Sequence, residues 1–226
     1  MTKLPSELKA VVFDLDGTLV DTADEFIIVV QALRAEHGLT AMDENLIRST
    51  VSSGARALVH LALSMRETDP MFESKRLRLL ELYSEVLGSV ARPYPGIESL
   101  ITRLEQRGIA WGISTNKPRA YTAPLMQSLN LSPAPSCVVC PDDVKETKPH
   151  PEPLYLSCRQ IGCTPHQAIY IGDHRRDIEA GRRAGMYTIA AAYGYIEAGD
   201  DPSDWGANAR VDCSTELSTM ILGDTG

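Results

Sequence analysis

Val11-Val12-Phe13-Asp14-Leu15-Asp16-Gly17-Thr18-Leu19 decides the reading of this chain. A short apolar run rich in β-branched residues ends in two aspartates spaced i, i+2, and a glycine turn follows. Strand side chains alternate between faces, so residues two apart share one. The spacing predicts that Asp14 and Asp16 leave a strand end on the same side, at the rim of a sheet. Like charges so placed are costly unless a cation or a shared proton offsets them. The pattern therefore points to a metal site, an acid/base pair, or both. Asp-Gly is also a common turn pair, so taken alone the motif reads equally as a strand end and a turn.

Outward from this stretch, short apolar runs ending in polar or glycine residues recur at 109–114, 137–140, 168–172 and 187–192, the first being 9–14. Helix-like stretches accompany the later runs at 96–107, 118–129, 152–161 and 175–184, and a strand near 209–212 with a helix at 214–222 completes the series. Alternating strands and helices predict βαβ units, hence an α/β fold with a doubly wound, mostly parallel, Rossmann-like sheet. Ligands of such sheets bind at the carboxyl ends of the strands. Those ends carry Asp14, then Ser114-Thr115-Asn116, then Asp173 with Asp177 a turn later, while Lys148-Pro149 opens the helix before the fourth strand.

Residues 20–92 interrupt the pattern with no convincing strand. Apolar positions recur at helical spacing in 24–36, 54–65 and 71–87. A loop of that length without structure is implausible in a compact domain. A small helical domain inserted into the α/β core is expected, with hinges near Leu19–Asp21 and Ala91–Pro95. The expected division is a core of 1–19 and 93–226 and a helical cap of 20–92.

A chain of 226 residues with net charge -8 and pI near 5.1 is long enough for a substantial core and ill suited to nucleic acid or anionic membranes. An anionic substrate would have to be drawn in by local cations. No apolar run long enough to span a bilayer occurs, and Met1–Lys9 does not read as a signal peptide. A cytoplasmic protein is expected, with no obligate protein partner evident. Five cysteines, an odd count without a secretion signal, are expected to be free thiols. Cys137 and Cys140 have C-x-x-C spacing but read as a buried strand, on which they would point to opposite faces.

The motifs D-L-D-G-T at 14–18, S-T-N at 114–116, K-P-H-P-E-P at 148–153 and G-D-H-R-R-D at 172–177 resemble, in order and spacing, those of the haloacid dehalogenase superfamily of aspartate-nucleophile phosphatases. The resemblance covers nearly the whole chain, and the insertion resembles that superfamily's small α-helical cap. T-N-K-P at 115–118 and C-P-D-D-V-K-E-T-K-P at 140–149 resemble the phosphoglycolate phosphatase group. G-A-R-A-L-V at 54–59, Y-G-Y-I at 193–196 and D-P-S-D-W-G-A at 201–207 look closer still to the bacterial N-acetylmuramic acid 6-phosphate phosphatases of cell-wall sugar recycling. His150 and His174 depart from the pattern, where many relatives carry Asp and Ser, at positions without an essential role in the family.

The resemblance implies a Mg²⁺-dependent phosphomonoesterase acting on a small carboxylate-bearing phosphate ester. N-acetylmuramic acid 6-phosphate is the expected substrate and 2-phosphoglycolate the alternative. Asp14 would attack phosphorus as a carboxylate already ionised at neutral pH, giving an acyl phosphate. Asp16 would protonate the leaving alkoxide and then act as base on water, with Asp14 nearby helping to keep it protonated at the start. Mg²⁺ would be held by the side chains of Asp14 and Asp173 and the carbonyl of Asp16, with Asp177 bracing them. Lys148 would balance the nucleophile and phosphoryl charge. Ser114, Thr115 and Asn116 form the expected phosphoryl-binding strand end, Thr115 by its hydroxyl and Asn116 by its N–H. The same residues read as a helix N-cap with Pro118 at the first helical position. Arg56 in the cap is the candidate for the substrate carboxylate.

Other readings use similar parts. A phospho-receiver domain lacks an acid two residues after its acceptor and lacks an inserted cap. Haloacid dehalogenation does not use the second aspartate. A sugar-phosphate mutase would share the core residues and differ in the cap. A non-catalytic module is disfavoured, because every motif residue is present.

Overall fold

The computed structural model describes residues 4–223. The terminal residues 1–3 and 224–226, which the expected core division and the leader reading include, lie outside the described residues.

The first strand, Ala10–Phe13 (β1), is buried along its whole length. It pairs in parallel with Ala110–Ser114 (β4) on one side and Ala168–Gly172 (β6) on the other. Val138–Val139 (β5), Tyr187–Ala191 (β7) and Ala209–Val211 (β8) extend it into six strands ordered β5-β4-β1-β6-β7-β8. All of its pairings are parallel.

Alternation along β1 explains the layers. Val11 and Phe13 pack with Ile97, Leu100, Ile101 and Leu104 of Ile97–Gln106 (α5), Leu125 of Arg119–Leu129 (α6), and Leu217 and Ile221 of Glu216–Leu222 (α9). Ala10 and Val12 pack on the opposite face with Leu154 and Cys158 of Glu152–Ile161 (α7) and Ala180 and Ala184 of Arg175–Ala184 (α8). A sheet covered on both faces buries both residue sets, which is why its strands read as unbroken apolar runs.

Successive connections leave β1 toward β4 and β5 on one side and toward β6, β7 and β8 on the other. The strand order thus reverses at β1, and the crevice of a doubly wound sheet lies at that reversal. Asp14 follows β1 directly, and its N–H donates to Ile171 O at 2.8 Å.

The long insertion is helical: Ala23–Glu36 (α1), Glu44–Thr50 (α2), Gly54–Leu63 (α3) and Phe72–Val86 (α4), with a 3₁₀ turn at Val51–Ser53. Phe26, Val30, Leu33, Ile47, Leu58, Leu79 and Tyr83 form one apolar cluster of their own. Three of these helices match the expected periodic stretches. Helix α2 was not legible, because it buries only Ile47 and so carries no stripe; Asp43 caps it through Asn45 N–H.

The expected absence of strands in 20–92 is corrected as well. Val20–Asp21 (β2) pairs antiparallel with Arg92–Pro93 (β3), joining the two ends of the insertion. Two residues are too few to show an alternating pattern. The strand expected at 137–140 shrinks to Val138–Val139, with Cys137 and Cys140 buried as free thiols beside it.

Candidate active site

The strand stops at Phe13, so the turn after it, not strand alternation, aims the two aspartates. Leu15 O accepts N–H groups from Thr18, Leu19 and Val20, and Gly17 N–H donates to Val20 O at 2.9 Å. Gly17 takes a φ of 80°, which a side chain resists. A Cβ there would also meet Asp173 Oδ2 at 2.1 Å. This tight turn sends Asp14 and Asp16 to different partners.

Asp14 faces Lys148. The ammonium is fully buried and lies 2.9 Å from Asp14 Oδ1 and 2.7 Å from Asp177 Oδ1. It also donates to Ser114 O at 3.0 Å and Tyr170 Oη at 2.7 Å. An ammonium has three hydrogens for these four neighbours. The atom left without a hydrogen bond is Asp14 Oδ1, which is nevertheless buried. Burial raises the Asp14 carboxyl above its usual range, against the pull of Lys148. Desolvation would lower Lys148, but Asp14 and Asp177 outweigh it and hold the ammonium charged.

Asp173 follows β6. Its Oδ1 accepts from Thr18 Oγ1 at 3.0 Å and its Oδ2 from Tyr195 N–H at 2.8 Å and Ser52 Oγ at 3.3 Å. Burial, then the charges of Asp14 and Asp177, push its carboxyl up to about 7. It does not cap α8; His174 does, accepting from Arg176 N–H, while Asp177 accepts from His174 N–H. Desolvation would raise Asp177, but Lys148 and Arg176 hold it below its usual range.

Carboxylate oxygens of Asp14, Asp173 and Asp177 all lie within 4.8 Å of one another, all buried. Three buried carboxylates against one buried lysine leave excess negative charge, and Asp14 Oδ1 has a free acceptor position. Hard oxygen donors of this kind fit a hard divalent cation such as Mg²⁺.

Asp16 turns the other way. Its Oδ1 accepts from Lys117 Nζ at 2.8 Å and Thr22 Oγ1 at 2.7 Å. An ammonium and a hydroxyl thus share this one carboxylate oxygen. Lys117 also donates to Tyr83 Oη at 2.6 Å and sits 4.8 Å from that ring.

The end of β4 divides its labour. Thr115 lines the cavity above Asp14, and its Oγ1 accepts from Lys117 N–H at 3.1 Å. Asn116 also lines it, with its side-chain amide bonded to both backbone groups of Lys148. Ser114 is buried beneath the site, outside the cavity wall, and contributes its carbonyl to Lys148. The expected N-cap also differs: Pro118 is extended and flanks the helix, which starts at Arg119.

Asp14, Asp16 and these residues, with Tyr121 and Arg176, open on a cavity of about 440 Å³ whose remaining wall comes from the insertion. Val51 to Arg56, Arg76, Leu80 and Tyr83 contribute to it. The insertion reaches the core through Ser52, whose carbonyl accepts from Arg176 Nη2 at 2.8 Å, and through Ser53, which bonds to Glu197. Arg56 lines the cavity while pairing with Glu67 at 3.0 Å.

Four contributors were not assigned from sequence. Lys117 and Arg176 lie inside quoted motifs, yet only their fold neighbours reveal what they touch. Tyr170 reads in sequence as one more buried strand residue. Tyr195 is the most consequential: its hydroxyl accepts from Thr22 and Ala23 N–H at 2.6 and 2.9 Å and donates to Asp21 at 2.8 Å, while its own N–H reaches Asp173. A single side chain in the segment that follows β7 thus ties the root of α1 to a site carboxylate.

The haloacid dehalogenase-like hydrolase family matches residues 11–191. The chain is 47% identical over 214 residues, covering 95% of each protein, to N-acetylmuramic acid 6-phosphate phosphatase of Pseudomonas aeruginosa. It is 44% identical to the Pseudomonas putida protein of that name, covering 95% of this chain and 96% of the relative. A phosphoglycolate phosphatase of Xanthomonas campestris is 37% identical, covering 92% and 94%. Among solved structures, a predicted phosphoglycolate phosphatase from Haemophilus somnus superimposes with a TM-score of 0.83 at 24% identity, covering 95% of this chain and 98% of that one.

Proposed function

The chain belongs to the haloacid dehalogenase-like hydrolases, and on that premise we propose that this phosphatase hydrolyses N-acetylmuramic acid 6-phosphate through an aspartyl-phosphate intermediate on Asp14. The observation that carries the chemistry is the Asp14 carboxylate at the strand reversal, 2.9 Å from a fully buried lysine and open to the cavity. The substrate reading is supported by the two Pseudomonas relatives and by a cavity volume of about 440 Å³. That volume falls in the ordinary range for small-molecule sites, whereas 2-phosphoglycolate would leave much of it empty.

Asp14 attacks phosphorus, an Asp14–phosphoryl bond forms, and the sugar alkoxide leaves with the proton of Asp16. Asp16 then takes a proton from water as the water attacks phosphorus, and Asp14 is released. Lys148 offsets the charge gathered around the phosphoryl group, and Thr115 and the Asn116 N–H bind its oxygens. Lys117 and Thr22 hold the Asp16 carboxylate in place. The carboxylates of Asp14 and Asp173 and the carbonyl of Asp16, with Asp177 behind them, would hold Mg²⁺, which would supply positive charge at the phosphoryl oxygens. Residues 20–92 serve as a cap over a core of 1–19 and 93–226. The β2–β3 pair is its hinge, and its closure excludes water.

Phosphate release from N-acetylmuramic acid 6-phosphate and 2-phosphoglycolate, side by side with Mg²⁺ and then with EDTA, tests this reading. The expected result is a strong preference for the sugar phosphate, lost with EDTA and in Asp14→Asn. A preference for 2-phosphoglycolate would overturn the substrate; activity surviving in Asp14→Asn would overturn the mechanism.

A further inference from the structure

Four cationic side chains line the cavity: Lys117, Arg176, Arg56 and Arg76. Lys117 is committed to the protein itself, and Arg176 in part, its Nη2 bonded while its buried Nε has no hydrogen bond. Lys117 bonds to Asp16 and Tyr83, and Arg176 bonds to Ser52 O. Arg56 and Arg76 are held differently, by carboxylates that lie outside the cavity wall. Glu73 takes Arg76 in a fork, with Nε at 3.1 and 3.0 Å and Nη2 at 2.5 Å. The same carboxylate is 3.7 Å from Arg56 Nη2.

Exposure is unequal across this triad. The Arg76 side chain is 23% exposed, against 54% for Glu73 and 53% for Arg56. Ion pairs to a carboxylate so open to water are weak. A ligand carboxylate inside the cavity would meet the same guanidinium with less competition from solvent. Among the described residues, Arg76 Nη1 has no hydrogen bond, so the guanidinium keeps donors to offer.

We propose that Arg76, together with Arg56, is the subsite for the carboxylate of the substrate, and that Glu73 is its internal placeholder, displaced when that carboxylate binds. This rests on the reading of the substrate given above, and assigns its lactyl group to the two guanidiniums. The phosphoryl end is served by Lys148, so the second anionic group needs a second cationic site. Arginine suits it because its planar fork matches a carboxylate.

The test compares kcat/KM for N-acetylmuramic acid 6-phosphate with that for N-acetylglucosamine 6-phosphate, which has the same ring and phosphate and lacks the lactyl group. Wild type is expected to favour the lactyl substrate. Arg76→Gln and Arg56→Gln are each expected to shrink that ratio about tenfold or more, the scale of a lost charge-assisted hydrogen bond. Glu73→Gln is expected to raise the ratio by lowering KM for the lactyl substrate. An unchanged ratio in the Arg76 variant overturns the subsite, and so does equal loss on both substrates, which would mark Arg76 as structural. Wild type that cleaves both sugar phosphates equally also overturns it, while leaving the phosphatase reading standing. Wild type silent on both sugars yet active on 2-phosphoglycolate overturns the substrate reading, and the subsite falls with it.

Discussion

At the scale of single residues, the charges of the site are unequally partnered. Asp14 has Lys148, Asp16 has Lys117, and Asp177 is pulled down by Lys148 and Arg176. Among the described residues Asp173 has no direct cationic partner, and burial lifts its carboxyl to about 7. A raised carboxyl holds its proton below that pH, so a metal ion must displace a proton there. Apparent Mg²⁺ affinity, titrated calorimetrically, should weaken about tenfold per pH unit as pH falls below about 7; a flat profile between pH 5 and 7 would contradict this. Lys117→Met should leave Asp16 unheld and lower kcat about 10- to 100-fold, less than the roughly 10²- to 10⁴-fold worth of a general acid or base itself. Lys117→Arg should recover part of the loss, as read from pH–rate profiles of both variants.

At the scale of elements, the turn after β1 is packed so closely that backbone geometry and site geometry are one constraint. A Cβ on Gly17 would meet Asp173 Oδ2 at 2.1 Å and the Tyr195 ring at 2.9 Å, in addition to the left-handed φ. Gly38 has a similar φ of 66° but open space around it. Gly38→Ala should therefore cost only the conformational penalty of about 1 kcal/mol. Gly17→Ala should cost more than about 2 kcal/mol, the clash adding to that penalty. Urea unfolding of the two variants gives the comparison; equal costs would show that the turn relaxes freely. The same crowding places Tyr195 between the root of α1 and Asp173.

At the scale of the whole molecule, burial sorts the thiols as it sorts the charges. All five cysteines are free, and burial pushes Cys137 up to about 11 and Cys158 up to about 12. Cys213 is exposed, and the Thr215 hydroxyl lowers its thiol below the usual value. Iodoacetamide under native conditions should modify Cys213 first, with Cys137, Cys140 and Cys158 reacting only on unfolding; peptide mass mapping over time reads this directly. Early modification of Cys158 would mean that the α7 face of the sheet opens far more readily than its packing implies.

The sequence by itself determined the α/β alternation, the parallel sheet, three of the four helices in the insertion, the strand ends bearing Asp14, Thr115 and Asp173, and the loop bearing Lys148. These are local facts. Period 2 and period 3.6 are written in neighbouring residues, and motif residues sit where a strand must stop. Helix α2 and the β2–β3 pair escaped because one buried residue, or two paired ones, make no period. Only the tertiary structure decided which charge meets which. Asp14 and Asp16 are two residues apart in sequence, yet their ammonium partners, Lys148 and Lys117, arrive from distant segments on opposite sides of the turn. Tyr195 reaches Thr22 at the root of α1 from 173 residues away, and Arg56 of α3 meets Glu67 and Glu73 across the helical insertion. No spacing in the chain encodes such meetings, because they follow from how folded segments pack and from the need to pair each charge that packing takes out of water.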